Sequence, residues 1–288
     1  MKGYKATDEN MRCRGFQYEI GKTYRIKGEL EFDRNGFHFC KRLIAIEYYY
    51  DLLASRVFEV EAIGEVKSDG LSASDELNLC TDEIRFVREL SKEEIIELAN
   101  ESVDDVNVYH RIRLAASKLA SKETLKILSE DAMWCVRETA AGNLNLGTEL
   151  LNILSKDESC YVRFRVAENP HTSNEVLNML SKDEASCVRA AVAENVSANN
   201  KILNYLRIHG TVYIRCLVAE NSNTNEDLIL KLSKDVSARV RKAIGENPKT
   251  SEEILKKLRN DSNYKVRDIA IKALNRKIFE KINNENSD

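Results

Sequence analysis

Two different spacings of apolar residues divide the chain. Rows that open at Val136, Val162, Val188, Ile214, Val240 and Val266 each begin with a β-branched residue followed by arginine, and each row starts 26 residues after the one before it. A degenerate earlier row opens on His110 and Arg111. The apolar pairs Leu125/Leu128, Leu151/Leu154, Leu177/Leu180, Leu203/Leu206, Ile229/Leu232 and Leu255/Leu258 keep the same step. Columns this regular predict a stacked array, in which each repeat buries its apolar face against its neighbours.

Within one row, Thr172 to Asp183 (TSNEVLNMLSKD) has a polar start and apolar residues at Val176, Leu177 and Leu180, the spacing of an amphipathic helix capped by Thr172 or Ser173. Val188 to Asn195 (VRAAVAEN) predicts a second, shorter helix, whose alanines let backbones approach closely. The asparagine column Asn143, Asn169, Asn195, Asn221 and Asn247 is expected to end these helices in the left-handed conformation. Both prolines of the chain, Pro170 and Pro248, follow it.

Six residues before most of the arginines stands an aspartate. Asp105, Asp131, Asp157, Asp183, Asp235 and Asp261 precede Arg111, Arg137, Arg163, Arg189, Arg241 and Arg267. Across the inter-helix turn the two columns are close enough to pair within a repeat and with the next one, which a planar guanidinium suits. A structural ladder is the expectation, with direct ligand contact by the arginines as the alternative. One row has His209 and Gly210 where the aspartate belongs, so Arg215 is expected to be unpaired there.

Before Leu90 the period changes to alternation. Arg56 to Val66 (RVFEVEAIGEV) sets Phe58, Val60 and Ala62 against Glu59 and Glu61, a half-buried strand. GKTYRIKGELEF, NGFHFC and DEIRFVREL also read as strands, and Ile44 to Leu53 (IAIEYYYDLL) as the one helix of an α+β module. Ser91 and Glu94 form a capping box for a helix expected to seal the end of the array. The divisions are therefore 1–90 for the module, 91–107 for a capping helix and linker, 108–278 for the array and 279–288 for a polar tail.

With 288 residues, 43% apolar and 32% charged, the chain can bury substantial cores, and a formal net charge of −3 offers no bulk attraction to nucleic acid. Seven cysteines, an odd number never spaced C-x-x-C, suggest reduced thiols. No signal-like start and no run of about 18 apolar residues occur, so a cytoplasmic protein without a membrane span is expected. His38 and Cys40, with Cys13 and Cys80, are the only metal-like set, and buried thiols beside a satisfied histidine are the favoured reading, with no metal and no cofactor. There is no phosphate-loop motif.

On the second helices the core and ladder take the first, second, fifth and sixth positions. That leaves Tyr161, Phe164, Arg165 and Glu168, then Tyr213, Leu217 and Glu220, then Arg239, Lys242 and Glu246 to face a partner. Glu168, Glu194, Glu220 and Glu246 form an acidic column, read either as a solvated edge neutralised by Lys156, Lys182 and Lys234 or as a stripe for a basic partner anchored by Tyr161 and Tyr213. Trp134 is expected to be packed.

The rows VR-x-x-VAENP-x-TS-x-x-x-L-x-x-LSKD resemble the leucine-rich repeat variant, a HEAT-like family. The likeness implies a right-handed α-solenoid and a binding scaffold without catalysis; the chain's own spacing makes it about seven repeats of 26 residues, a longer step than the family's usual one. KGYK, CRGFQYE-x-GKTY, GFHFC and EVEA-x-GE resemble a domain of unknown function in bacterial and phage proteins, which implies no activity. A fainter likeness of NGFHFC, EYYY and VFEVEAIGEV to ADP-ribosyltransferases implies an NAD pocket using Arg14, Tyr49, Glu59 and Glu61. The expected fold is thus mainly α, a solenoid behind a small α+β domain. Its expected function is protein or peptide binding, with an NAD enzyme or a nucleic-acid-binding solenoid as alternatives.

Overall fold

The structure, a computed structural model, describes residues 1–32, 34–68, 78–104 and 107–285. The chain forms two compact units, Met1–Leu146 and Gly147–Asp288.

In the first unit the strands are β1 (Lys2–Thr7), β2 (Arg12–Cys13), β3 (Phe16–Gln17), β4 (Thr23–Arg25), β5 (Phe37–Phe39), β6 (Arg56–Ala62), β7 (Val66–Ser68), β8 (Leu79–Thr81) and β9 (Glu83–Glu89). They pair antiparallel in the orders β1-β6-β9-β4, β5-β8-β7 and β2-β3. Phe58, Val60 and Ala62 of β6 are buried with Ile84 and Phe86 of β9, as the alternation requires. Strand β1 was not foreseen, because Lys5 and Thr7 stand at positions that an apolar pattern would fill, yet both are buried.

The expected helix at 44–53 is instead a 3₁₀ turn, Leu43–Tyr48. Leu43, Ile44, Ala45 and Ile46 are all buried, so the segment has no polar face to give an amphipathic helix. The chain then turns at Asp51, whose Oδ1 accepts the Leu53 and Ala54 N–H groups.

Helices α1 (Lys92–Asn100), α2 (Val108–Ala116), α3 (Lys122–Ser129) and α4 (Trp134–Gly142) complete this unit. Ser91 and Glu94 form the expected capping box on α1. The unit continues past residue 90 because the 3₁₀ segment packs on α1 and α2, and Ser117 donates to Glu47 at 2.8 Å. Trp134 is not packed inside: it opens α4 and is 43% exposed.

The second unit is a run of helices: α5 (Thr148–Leu154), α6 (Cys160–Glu168), α7 (Asn174–Leu180), α8 (Ser186–Glu194), α9 (Asn200–His209), α10 (Val212–Glu220), α11 (Glu226–Leu232), α12 (Ala238–Glu246), α13 (Glu252–Leu258) and α14 (Tyr264–Glu285). These are the stacked repeats that the 26-residue step predicts, with α6, α8, α10, α12 and α14 packed each on the next.

The expected lengths are reversed. The arginine-bearing helices α6, α8, α10 and α12 have nine residues, whereas α5, α7, α11 and α13 have seven. Ahead of α6, α8, α12 and α14 an aspartate accepts the N–H two residues on, as Asp183 does from Ala185 at 2.9 Å, and ahead of α10 the Thr211 hydroxyl caps instead. Ala273 stands where the next asparagine of the column would fall, and α14 continues to Glu285 through most of the expected tail. Ser173 caps α7, while Thr172 is buried and donates to the Val166 carbonyl at 2.6 Å.

The asparagines are not left-handed. Asn169, Asn195, Asn221 and Asn247 are extended, with φ from −63° to −70° and ψ from 122° to 132°. Their work is done by the side chain. The Asn195 amide donates to the carbonyls of Ala167 and Asn169 in the preceding repeat at 2.6 and 3.0 Å, and Asn221 repeats this on Ala193 and Asn195. Asn143 does the same on Ala115 and Ser117 in the first unit.

Where the ladder's fork is closed, it runs from the arginine to the aspartate 20 residues ahead, not to its own. Nε and Nη2 of Arg111, Arg163, Arg215 and Arg241 hold both oxygens of Asp131, Asp183, Asp235 and Asp261, at 2.6–3.2 Å. Nη1 returns to the start of its own row: Arg163 donates to the carbonyls of Asp157 and Glu158, and Arg137, Arg189, Arg241 and Arg267 repeat the pattern on Asp131, Asp183, Asp235 and Asp261. Asp157 also accepts the Ser159 N–H. Asp105 lies outside the described residues. The expectation for Arg215 is therefore overturned: it pairs with Asp235 at 2.7 Å, and the missing aspartate at 209 falls on Arg189.

Two outcomes follow for stability. Asn195→Ala deletes two buried inter-repeat hydrogen bonds and is expected to destabilise by about 2 kcal/mol in urea unfolding, clearly more than Ser197→Ala at the exposed rim. The Arg241 fork holds the Asp261 carboxyl below its usual range against partial burial, while for Asp235 burial pushes upward and is outweighed by Arg215 and the Ser237 N–H. Depressed carboxyls stabilise the fold above the ordinary Asp value of about 3.9, and that contribution is lost as pH falls through the lower native value. Melting midpoints should therefore drop steeply below about pH 4, and less in a variant carrying Asp235→Asn and Asp261→Asn.

Candidate functional site

In the first unit a cavity of about 580 Å³ opens between β1, the β2–β3 hairpin, β5 and the 3₁₀ segment. Arg14 and Gly15 are the two turn residues of the hairpin, with φ of 47° and 83°, the twist that joins tightly connected antiparallel strands. Arginine rarely adopts positive φ, and here it sets the guanidinium on the cavity wall, Nη1 3.4 Å from His38 Nδ1.

Lys5 projects from β1 into the same wall. It is 6% exposed, its Nζ donates to the His38 carbonyl at 2.6 Å, and burial lowers its pKa, partly opposed by the neighbouring Cys13 and Cys40 thiols. The Cys13 thiol lies 3.4 Å from the Tyr50 hydroxyl, and Asn78 donates to the Tyr49 hydroxyl at 2.7 Å. Burial pushes the Cys40 thiol up to about 12, and the Cys13 contact together with burial raises Tyr50 to about 12. Sequence reasoning missed Lys5. The only signal is a lysine inside KGYK at a strand position that the alternation turns inward.

The residues of the NAD reading do not come together. Arg14 and Tyr49 line the cavity; Glu59 and Glu61 do not. Glu59 bridges Lys2 and Arg88 at 3.2 and 3.0 Å, and Glu61 pairs with Arg85. Cys13, His38 and Cys40 line the cavity while Cys80 sits opposite His38 in the sheet. Among the described residues no group of three or more His, Cys, Asp or Glu side chains gathers at metal-binding range.

In the second unit the residues expected to face a partner form a stripe on consecutive arginine helices. Tyr161, Arg165 and Glu168 of α6 are exposed, spaced i, i+4 and i+7, and Tyr213 and Glu220 repeat the ends of that stripe on α10. Glu194 on α8 and Arg239 and Glu246 on α12 are exposed, and Lys242 is half-buried. Leu217 does not belong to this face: three residues after Ile214, it lies on the packed side and is 7% exposed. Phe164 is half-buried.

The acidic column is real but unevenly compensated. Arg165 pairs with Glu168 at 3.1 Å and Lys242 with Glu246 at 2.6 Å. The lysines expected to neutralise it, Lys156, Lys182 and Lys234, form no ion pair among the described residues, and Lys182 lies over the Tyr205 ring instead. Partial burial raises the pKa of Glu194, and the charges of Glu168 and Glu220 raise it further. Neither Glu194 nor Glu220 has a cation partner among the described residues.

Residues 1–98 match a family described as a domain of unknown function (DUF7666). No curated protein matches the chain. Among solved structures it is similar to "a leucine-rich repeat variant with a novel repetitive protein structural motif", at 25% identity over 62% of this chain and 71% of that one, with a TM-score of 0.48. It is also similar to a designed armadillo repeat protein, YIII(Dq)4CqI, at 17% identity, 62% and 97% coverage and a TM-score of 0.25. A second designed armadillo repeat protein, in complex with peptide (KR)4, aligns at 18% identity over 62% of this chain and 97% of its own, with a TM-score of 0.27. No helix of the described residues is long and apolar enough to cross a membrane.

Thiol chemistry gives a direct check of this environment. Cys187 is exposed, whereas Cys40 is buried and held protonated. Under iodoacetamide at about pH 8, mass spectrometry is expected to find Cys187 modified first and Cys40 at least tenfold more slowly; comparable rates would contradict the buried cavity wall.

Proposed function

We propose that the chain is a cytoplasmic, non-enzymatic interaction scaffold of bacterial or phage origin, whose solenoid binds a protein or peptide while the first module adds a separate specificity. One observation supports this reading: Glu194 and Glu220, adjacent in the acidic column, have no cation partner among the described residues, and Glu194 feels both burial and its neighbours' charge. A lysine or arginine from a partner laid across the arginine helices would relieve that repulsion, which favours a basic segment. Tyr161 and Tyr213, 58% and 56% exposed, stand at the other end of the same helices, as aromatic anchors for the segment's apolar residues. The arginine column offers nucleic acid little, because the forks of Arg111, Arg163, Arg215 and Arg241 are engaged by aspartates.

Selection from a random peptide display library on the full chain tests this. Enriched peptides are expected to carry two or more Lys or Arg residues and an apolar residue. Glu194→Gln with Glu220→Gln should weaken their binding about tenfold, and Tyr213→Ala should do the same without altering the fold. Peptides that bind the charge-neutralised double variant as well as the parent would overturn the reading.

A further inference from the structure

The missing rung of the ladder leaves a gap beside Arg189. Arg189 stands in α8 in the same register as Arg163, Arg215 and Arg241, and the residue 20 positions ahead of it is His209 instead of aspartate. The reason lies in α9. Where α7 and α11 stop at Ser181 and Ser233 before their turn aspartates, α9 runs on to His209 and closes at Gly210. Thr211 then caps α10 through its hydroxyl, where in the other rows an aspartate two residues before the N-cap accepts that residue's N–H.

The guanidinium is nevertheless held as if its partner were there. Nη1 of Arg189 donates to the carbonyls of Asp183 and Glu184 at 2.6 and 2.9 Å, the same tether that Arg163 and Arg241 make. In those rows Nε and Nη2 grip a carboxylate. Among the described residues, Nε and Nη2 of Arg189 make no hydrogen bond and no carboxylate pairs with it. The nearby Asp183 carboxylate is committed to Arg163 at 2.7 and 3.1 Å and to the Ala185 N–H.

A cavity of about 210 Å³ lies at this place, lined by Arg189, Lys182, Asp183, Tyr205, His209 and Gly210 among others. Lys182 reaches over the Tyr205 ring, 5.5 Å from its centroid, and His209 packs on the same ring at 4.4 Å. The gap therefore presents a preset guanidinium fork, an ammonium without an ion pair among the described residues and an imidazole, with room for a group about the size of a carboxylate.

We propose that this gap binds an oxyanion supplied from outside the chain, a carboxylate or a phosphoryl group, which takes the place of the absent aspartate on Nε and Nη2 of Arg189. The fork geometry that fits aspartate in four other rows fits either group, and Lys182 adds a positive charge beside it. The site does not depend on the acidic stripe and stands whether or not a basic partner binds there.

The test is a titration of the full chain followed by the arginine Nε–Hε resonances in proton–nitrogen NMR, with Arg189→Lys used to assign the Arg189 peak by its disappearance. Sodium acetate and inorganic phosphate are added separately against chloride at matched ionic strength. The Arg189 peak is expected to shift saturably with at least one oxyanion and not with chloride; whichever saturates at lower concentration identifies the source as carboxylate or phosphoryl. His209→Asp refills the rung, so its Arg189 peak should start displaced and respond at least fivefold less, and its melting midpoint should no longer rise with the oxyanion. An Arg189 peak that moves equally with chloride, or that responds in His209→Asp as in the parent, would overturn the proposal.

Discussion

The array depends on a guanidinium that touches two repeats at once. In each complete row Nη1 is fixed to the carbonyls that begin its own helix, and Nε with Nη2 is fixed to the aspartate that begins the next. That aspartate in turn accepts the N–H two residues on, so a single carboxylate starts one helix and receives the previous one. The side chains are about nine-tenths buried, Arg163 at 10% and Asp183 at 8% exposure, and removing charges from water is costly unless every donor and acceptor is used. Here nearly all are used. The pair thus fixes register more than it adds net stability, since a one-residue slip would strand both charges.

A second line of contacts runs parallel to it. The asparagine amides bind carbonyls of the preceding repeat, and Thr172 and Thr250 close their own turns on Val166 and Ile244. Between the lines lie the buried Val, Ile, Leu and Ala columns, which supply the apolar burial but could slide without polar teeth. The one row lacking an aspartate shows how local such a change is: α9 lengthens, Thr211 takes over the cap, and the core columns Leu203, Leu206 and Ile214 remain buried.

Much of this was legible in the sequence because a repeated array prints every buried column several times. What misled was also a property of repeats. An aspartate six residues behind an arginine is, one 26-residue step on, an aspartate 20 residues ahead, and spacing alone does not say which one the side chain reaches. The backbone decides, because the near aspartate spends its carboxylate on its own helix start and offers the arginine only its carbonyl. Asn195 was similarly read as a backbone device when its side chain does the bonding. In the first unit, β6 and β9 announced themselves by alternation, whereas β1 was hidden by Lys5, which lines the cavity, and by Thr7, both buried outside any apolar pattern. The proposed partner stripe was visible as a column of glutamates, but Leu217 shows that helical position alone does not separate an exposed face from a packed one.

The most direct measurement is a double-mutant cycle on Arg215 and Asp235, since sequence spacing left Arg215 unpaired and gave Asp235 to Arg241, whereas the structure joins the two at 2.7 Å. Arg215→Met, Asp235→Asn and the double variant would be compared by urea unfolding monitored by circular dichroism. Inter-repeat bridging predicts a coupling energy of about 2 kcal/mol, with the double variant recovering much of what either single change loses. Two changes that simply add, to within about 0.5 kcal/mol, would mean that the repeats are not held together through this contact.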